Sequence, residues 1–335
     1  MDKEILAPFD SVIGQTHAKQ RLIRSVESAV NGGPMLQPLL IGEAGNGKTH
    51  LANAYCAALE AAGIQGLSVQ PDQFRGTDED EKIMSLLEGK DRFFIYVDEA
   101  HLMKENNATV AQQRVVNAFM KVLDKNNHGK ITQIHPDKTA GFTPEKGSII
   151  MSTNFPWRLD KSGAFQSRTH KFELDLYNED ELIAILTLML ESQGFKQLKP
   201  ETLRMIARCG RGTARPMEKI VEEIGLIHSG SGKRQMRINR EDVLMALIQT
   251  RMFPLGLVNH EVELMIAGNE GDKLRDTMIF SRFPKLEKDT LRKSKGYLMA
   301  LQLMHDTGRG IITTDKGSRY LDNIQGDGFQ LPAQF

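Results

Sequence analysis

The residues best suited to chemistry form one run, Gly42-Glu43-Ala44-Gly45-Asn46-Gly47-Lys48-Thr49, followed by His50. The run fits G-x-x-x-x-G-K-[ST], in which glycines let backbone N–H groups curl around phosphate oxygens. Lys48 is spaced to reach the β- and γ-phosphates, and Thr49 to ligate Mg²⁺. A helix starting at this point adds positive potential at its N-terminus. Downstream, Asp98-Glu99 closes an apolar run. An acidic pair there suits one carboxylate that holds magnesium, Asp98, and one that orients or activates water, Glu99. Ser152-Thr153-Asn154 closes a second apolar run. Asn154 there suits a hydrogen bond to a γ-phosphate or a water, or a turn ahead of Phe155-Pro156. The chemistry implied is binding and hydrolysis of ATP with Mg²⁺.

These residues work together only if strand ends bring them together. Leu39-Leu40-Ile41 precedes the glycine run and Leu51-Ala52-Asn53-Ala54-Tyr55 follows it, a strand–loop–helix context. Phe93 to Val97 and Ser148 to Met151 are continuous apolar runs, as expected of strands buried on both faces of a parallel sheet. Leu67 to Val69 and Lys171 to Leu174 read as shorter strands. Helical patterns lie before Val30, from Asp78 to Leu87 and from Val110 to Leu123. Alternating strands and helices predict an α/β fold with a parallel sheet. From Glu179 to Gln249 the pattern is helical, broken at Gly194, Gly210–Gly212 and Ser229–Gly232. Phe253-Pro254-Leu255-Gly256 marks a second boundary. Helical patterns follow over Asn259–Ile266 and Thr290–Met304, then Gly308-Arg309-Gly310 turns into Ile311–Thr314. Helices followed by a glycine-tipped hairpin suggest a winged helix. The expected domains are an α/β core over 1–176, a helical domain over 177–252 and a winged helix over 253–335.

Composition narrows the class. With 335 residues, 40% of them hydrophobic, the chain has ample material for packed cores. No apolar run approaches the ~18 residues of a membrane span, and the charged start Met1-Asp2-Lys3-Glu4 lacks a secretory h-region. Cys56 and Cys209 stand far apart, which suits a reducing cytoplasm better than a disulfide framework. The nine histidines show no zinc-ligand spacing. Net charge is zero, yet Lys273 to Tyr320 holds 11 Lys/Arg against 5 Asp/Glu, a local net of +6. Lys288, Arg292, Lys293, Lys295 and Arg309 are therefore candidate contacts to DNA phosphates. A solvated or protein-docking face is the alternative.

The order and spacing of the P-loop, Asp98-Glu99, Ser152-Thr153-Asn154, Ser167-Arg168-Thr169 and Gly212-Thr213-Ala214-Arg215 resembles that of AAA+ ATPases. Within them the chain resembles the RuvB family, which drives Holliday-junction branch migration. Three segments carry that likeness: Phe9-Asp10-Ser11-Val12-Ile13-Gly14-Gln15, Leu176-Tyr177-Asn178-Glu179-Asp180-Glu181-Leu182, and Leu286 to Leu321 with Thr307-Gly308-Arg309-Gly310. The chain is divergent. Glu43-Ala44-Gly45-Asn46 stands where the family has a proline pair, and the segment from Gly129 to Gly147, in the position of the family's hairpin, is polar. The resemblance implies an AAA+ P-loop core, a helical lid and a C-terminal winged helix. It implies Asn154 as a sensor of the γ-phosphate and Arg168 as an arginine finger reaching a neighbouring subunit's nucleotide. Arg215 would be a lid arginine closing over the nucleotide, with Val12, Ile13 and Tyr177 bordering adenine. It further implies a homo-oligomeric, hexameric ring acting on duplex or branched DNA. The alternative is an AAA+ loader or remodeller of a protein client, with the C-terminal module as adaptor.

Overall fold

The computed structural model describes residues 3–71, 77–89, 91–104, 108–159, 163–195, 198–229, 238–269 and 273–332. The chain divides into two compact units, Met1–Tyr177 and Asn178–Phe335.

The first unit contains helices α1 (Lys3–Leu6), α2 (Thr16–Val30), α3 (Lys48–Ala61), α4 (Thr77–Glu88), α5 (Val110–Val122), α6 (Pro156–Leu159) and α7 (Ala164–Arg168). Its strands are β1 (Pro38–Ile41), β2 (Gln65–Val69), β3 (Phe93–Val97), β4 (Ile131–His135), β5 (Lys138–Gly141), β6 (Gly147–Thr153) and β7 (His170–Glu173). Five of these form one parallel sheet in the order β2-β3-β6-β1-β7. The sheet is parallel because a helix-bearing connection, and not a tight turn, links each successive pair of its strands. β3 and β6 are buried along their whole length, as their unbroken apolar runs predict.

Side chains alternate across the sheet and so build two cores. Phe94 and Tyr96 pack with α2 and α3 around Leu22, Leu51 and Tyr55. Phe93, Ile95 and Val97 pack on the opposite face with α4 and α5 around Ile83, Val115 and Phe119. The antiparallel β4–β5 hairpin lies over that second core and buries Ile134 and Ala140. Lys138 pins it to α4 through Glu81 at 2.7 Å.

The second unit starts with α8 (Glu179–Ser192), α9 (Pro200–Cys209), α10 (Arg215–Ser229) and α11 (Arg240–Gln249). Asn178 opens α8 with a reciprocal capping box to Glu181, the sequence signature of a helix start. After the turn Pro254–Gly256 come α12 (Asn259–Asn269), α13 (Asp276–Arg282), α14 (Lys288–Ala300), β8 (Met304–Asp306), β9 (Ile311–Thr313) and α15 (Asp315–Gly326). β8 and β9 form an antiparallel hairpin, and Leu274 adds a bridge to Ile311. α14 ends at Ala300, short of the Met304 expected from sequence. Gln302 adopts a left-handed conformation (φ 59°), which stops the helix and frees Met304 to pair with Thr313.

A buried ion pair links the loop ahead of α10 to the later helices of this unit. Arg211 Nη1 lies 3.0 Å from both carboxylate oxygens of Glu261, whose side chain is 1% exposed. The same guanidinium stacks 3.6 Å from the Tyr297 ring centroid.

Among the described residues, no helix is long and apolar enough to cross a membrane. None of their His, Cys, Asp and Glu side chains cluster as a metal site of three or more.

Candidate nucleotide-hydrolysis site

β6 lies between β1 and β3, so the C-terminal ends of three adjacent strands meet. Such ends are where open parallel sheets bind ligands. β1 delivers the glycine loop, β3 delivers Asp98 and Glu99, and β6 delivers Ser152, Thr153 and Asn154. The sequence-predicted residues of the core therefore converge.

The loop is shaped by close approach. Gly45 and Gly47 have φ of 86° and 87°, a region in which side chains other than glycine are strained. A Cβ on Gly42 would overlap the Asn46 amide, and one on Gly47 would overlap the Tyr177 hydroxyl. Asn46 is wholly buried, and its amide donates to the Leu174 carbonyl at 3.1 Å. Gln15 clasps the loop from outside: its Nε2 donates to Asn46 O at 3.3 Å and Asp175 O at 2.8 Å, while its Oε1 accepts from Asp175 N. His50 Nε2 lies 3.2 Å from Ser11 Oγ, tying α3 to the opening segment that carries Val12 and Ile13. Val12 is buried and Ile13 half-buried. Lys48 is buried and donates to the carbonyls of Gly42 (3.0 Å) and Glu43 (2.8 Å), within the curve of the loop.

Thr49 Oγ1 donates to Asp98 Oδ2 at 3.0 Å. Asp98 Oδ1 accepts from the Ser152 hydroxyl and from the Glu99 backbone N–H at 3.0 Å. Tyr96, its phenol pushed above the usual range by burial, donates to Ser152 Oγ at 3.4 Å. A threonine hydroxyl beside a carboxylate is the small set of hard oxygen donors that Mg²⁺ takes when phosphates fill the rest of its shell. The donor set and the glycine cradle both fit Mg²⁺–nucleotide.

Glu99 is held in an unusual backbone conformation, φ 46°. Its Oε1 accepts from Asn154 Nδ2 at 3.3 Å. Its Oε2 is buried and lies 3.4 Å from His101 Nδ1.

Arg168 ends α7, with Nη2 donating to Asp124 Oδ2 at 2.9 Å and Nη1 to Ala164 O at 3.1 Å. The guanidinium holds the Asp124 carboxyl below its ordinary range. Arg215 is the exposed first residue of α10 in the second unit. Lys288 and Arg292 lie 5.5 and 5.9 Å from the Phe280 ring centroid. Arg292 also pairs with Asp289 at 3.3 Å. Lys293 is exposed on the same helix, and Arg309 is exposed in the turn between β8 and β9. Lys295 differs from the others: its ammonium sits 3.1 Å from Asp276 and 3.7 Å from Asp306, so it braces α14 against α13 and β8.

Sequence reasoning quoted Gln15 and Ser152 within motifs but gave neither of them, nor His101 or Asp124, a role in the site. Gln15 follows Gly14 with both residues at positive φ, which fits a built turn, but its partners are distant in sequence.

Residues 38–175 match the family described as ATPase family associated with various cellular activities (AAA). These residues form an AAA core, and the chain is an ATPase. Solved structures extend the likeness across nearly the whole chain. Thermotoga maritima RuvB, described as a Holliday junction branch migration motor, aligns with a TM-score of 0.60 over 96% of this chain and 96% of its own, at 20% identity. Two point mutants of that protein align with TM-scores of 0.62, at 21% identity, covering 97% and 98% of this chain. At such identity the likeness is one of fold. No curated protein matches the sequence.

Proposed function

We propose that this chain is a ring-forming ATPase that moves or remodels DNA, a divergent counterpart of RuvB. The observation that carries the reading is the combination of a converged hydrolysis site with a RuvB-like fold over nearly the whole chain, basic C-terminal segment included.

In this reading the backbone N–H groups of Gly45 to Thr49, with Lys48, grip the phosphates, and Val12, Ile13 and Tyr177 border the base. Thr49 and Asp98 hold Mg²⁺, which when bound neutralises charge developing on the phosphoryl oxygens. Glu99 orients the attacking water, and Asn154 fixes the carboxylate of Glu99 and senses the γ-phosphate. Arg168, released from Asp124, reaches the nucleotide of a neighbouring subunit. Arg215 closes over the nucleotide from its own lid. An arginine supplied in trans is worth ~10³–10⁵ in rate, which makes turnover depend on assembly.

The chain is then an α/β core over 1–176, a lid over 177–252 and a winged helix over 253–335. The order helix, bridge at Leu274, two helices and hairpin supports the last of these. Arg309 at the hairpin tip and Lys288, Arg292 and Lys293 on α14 contact phosphates, with Lys295 as their brace. Phosphate contacts of this kind give a sequence-tolerant, salt-sensitive grip, suited to a motor that must move along its track. The expected location is the cytoplasm.

The test is ATP turnover across a protein concentration series with no DNA, linear duplex or a four-way junction, at low and moderate salt. The reading expects turnover per subunit to rise with concentration and DNA to stimulate it, more strongly at low salt. Assembly-dependent turnover indifferent to every DNA would overturn the DNA assignment and favour a protein client.

A further inference from the structure

We propose that His101 is a positioning residue for hydrolysis, coupling the Glu99 carboxylate to the end of β6 through Thr153. The proposal rests on the ATPase class of the chain and is independent of the DNA reading.

Glu99 needs a mechanical support that its own backbone does not supply. It is not glycine, yet it sits at φ 46°, a conformation that costs an ordinary residue ~1–2 kcal/mol. Its N–H is held by Asp98 Oδ1 and by Ser152 Oγ at 3.3 Å. One carboxylate oxygen takes the Asn154 amide. The other, Oε2, is buried with no hydrogen bond of good geometry, and the His101 imidazole stands 3.4 Å away.

The imidazole is itself fixed on several sides. His101 is 5% exposed. The Phe155 ring meets it edge-on at 5.0 Å, which sets its plane. Nδ1 lies 3.1 Å from Thr153 Oγ1, and that hydroxyl accepts the Phe155 N–H at 3.0 Å. Thus one nitrogen stands between the last residue of β6 and the carboxylate that follows β3. Asn154, next in the chain, touches the other oxygen of the same carboxylate. The end of β6 therefore grips Glu99 twice, directly through Asn154 and through Thr153–His101. With its proton on Nδ1, the imidazole donates to Thr153 Oγ1 and turns the positive end of that N–H dipole to Glu99 Oε2, 3.4 Å away. A displacement of β6 by the nucleotide then turns the carboxylate as well. Placement errors near 1 Å cost up to about 100-fold in rate, so a small shift of Glu99 suffices to gate turnover.

The experiment measures kcat and KM for ATP, binding of a fluorescent ATP analogue and thermal melting of the full chain. The variants are His101→Ala, His101→Asn, His101→Gln, Thr153→Val and the double variant H101A/T153V. An asparagine places its terminal atoms near the position of Nδ1, whereas glutamine reaches toward Nε2. The proposal expects H101A to lower kcat by about 10–100-fold, with KM, analogue affinity and melting unchanged. H101N should recover most of the loss and H101Q should not. T153V should lower kcat in the same direction, and the double variant should be no worse than H101A. An unchanged kcat in H101A, equal rescue by asparagine and glutamine, or additive losses would overturn the proposal. Loss of analogue binding in step with melting would also overturn it, by making His101 a packing residue.

Discussion

Replacing Arg211 by methionine gives a worked test of how the second unit is held together. Glu261 is 1% exposed and receives Arg211 Nη1 at 3.0 Å on both oxygens, with the Val258 N–H at 3.1 Å as a further donor. Arg211 is 28% exposed, so its charge reaches water whereas that of Glu261 does not. Removing the arginine strands a buried carboxylate, which costs ~3–5 kcal/mol. Loss of the stack on Tyr297 adds to this, because cation–π contacts are worth about 0.5–2 kcal/mol. A domain of this size shifts its melting temperature by ~2–4 °C per kcal/mol, so Arg211→Met should lower the transition of this unit by ~7–28 °C. Differential scanning calorimetry of the full chain reads it. Glu261→Gln should cost less, because the half-buried arginine still reaches water and the amide oxygen still accepts. The double variant R211M/E261L should recover much of the loss, because no charge is left buried. Equal small losses for R211M and E261Q, or a double variant as poor as the sum of its singles, would refute the reasoning.

Three further outcomes follow from the first unit. Glu99→Gln should lower kcat for ATP by ~10²–10⁴-fold while a fluorescent ATP analogue still binds, because the amide keeps the shape but not the basicity of the carboxylate; unchanged turnover would remove Glu99 from the chemistry. Arg168→Ala and Lys48→Ala should each lower turnover by about 10³-fold or more, and mixing the two should restore part of it, because an intact Arg168 then meets an intact P-loop across a subunit boundary; a mixture as inactive as its parts would contradict an arginine acting in trans. His170 has its pKa lowered by burial first and then by the charges of Arg21 and Lys125, while its Nδ1 accepts the Gln37 N–H at 2.9 Å. The fold favours neutral His170, so its contribution is full above the ordinary histidine value of about 6.5 and is lost as pH falls from there toward the folded pKa. His170→Asn keeps an acceptor for Gln37 and should flatten the fall in melting temperature below about pH 6.5; an unchanged slope would exclude His170 as its source.

The glycine loop, the acidic pair and Asn154 were legible because each is signalled locally, by turn chemistry or by the end of a buried apolar run. Phe93–Val97 and Gly147–Thr153 are buried strands because they are continuous in apolar residues, and their parallel pairing follows from the helices between them. Contacts between distant segments were not legible. Nothing beside Gln15 announces that it will clasp Asn46 and Asp175, and nothing beside Asp124 announces Arg168. Lys295 reads as one more cation in a basic stretch, and only the fold brings Asp276 and Asp306 to it. The end of α14 was misjudged because Leu301, Leu303 and Met304 continue the helical apolar pattern, whereas the left-handed Gln302 and the pairing of β8 with β9 decide otherwise.

The central claim, that this ATPase works on DNA through its C-terminal hairpin and α14, is tested most directly by charge reversal. ATP turnover with and without duplex DNA would be compared between the unmodified chain and a variant carrying Arg309→Glu, Arg292→Glu and Lys293→Glu. The account predicts DNA stimulation in the unmodified chain, its loss in the variant, and the same DNA-free turnover in both. DNA stimulation that survives the reversal would contradict it.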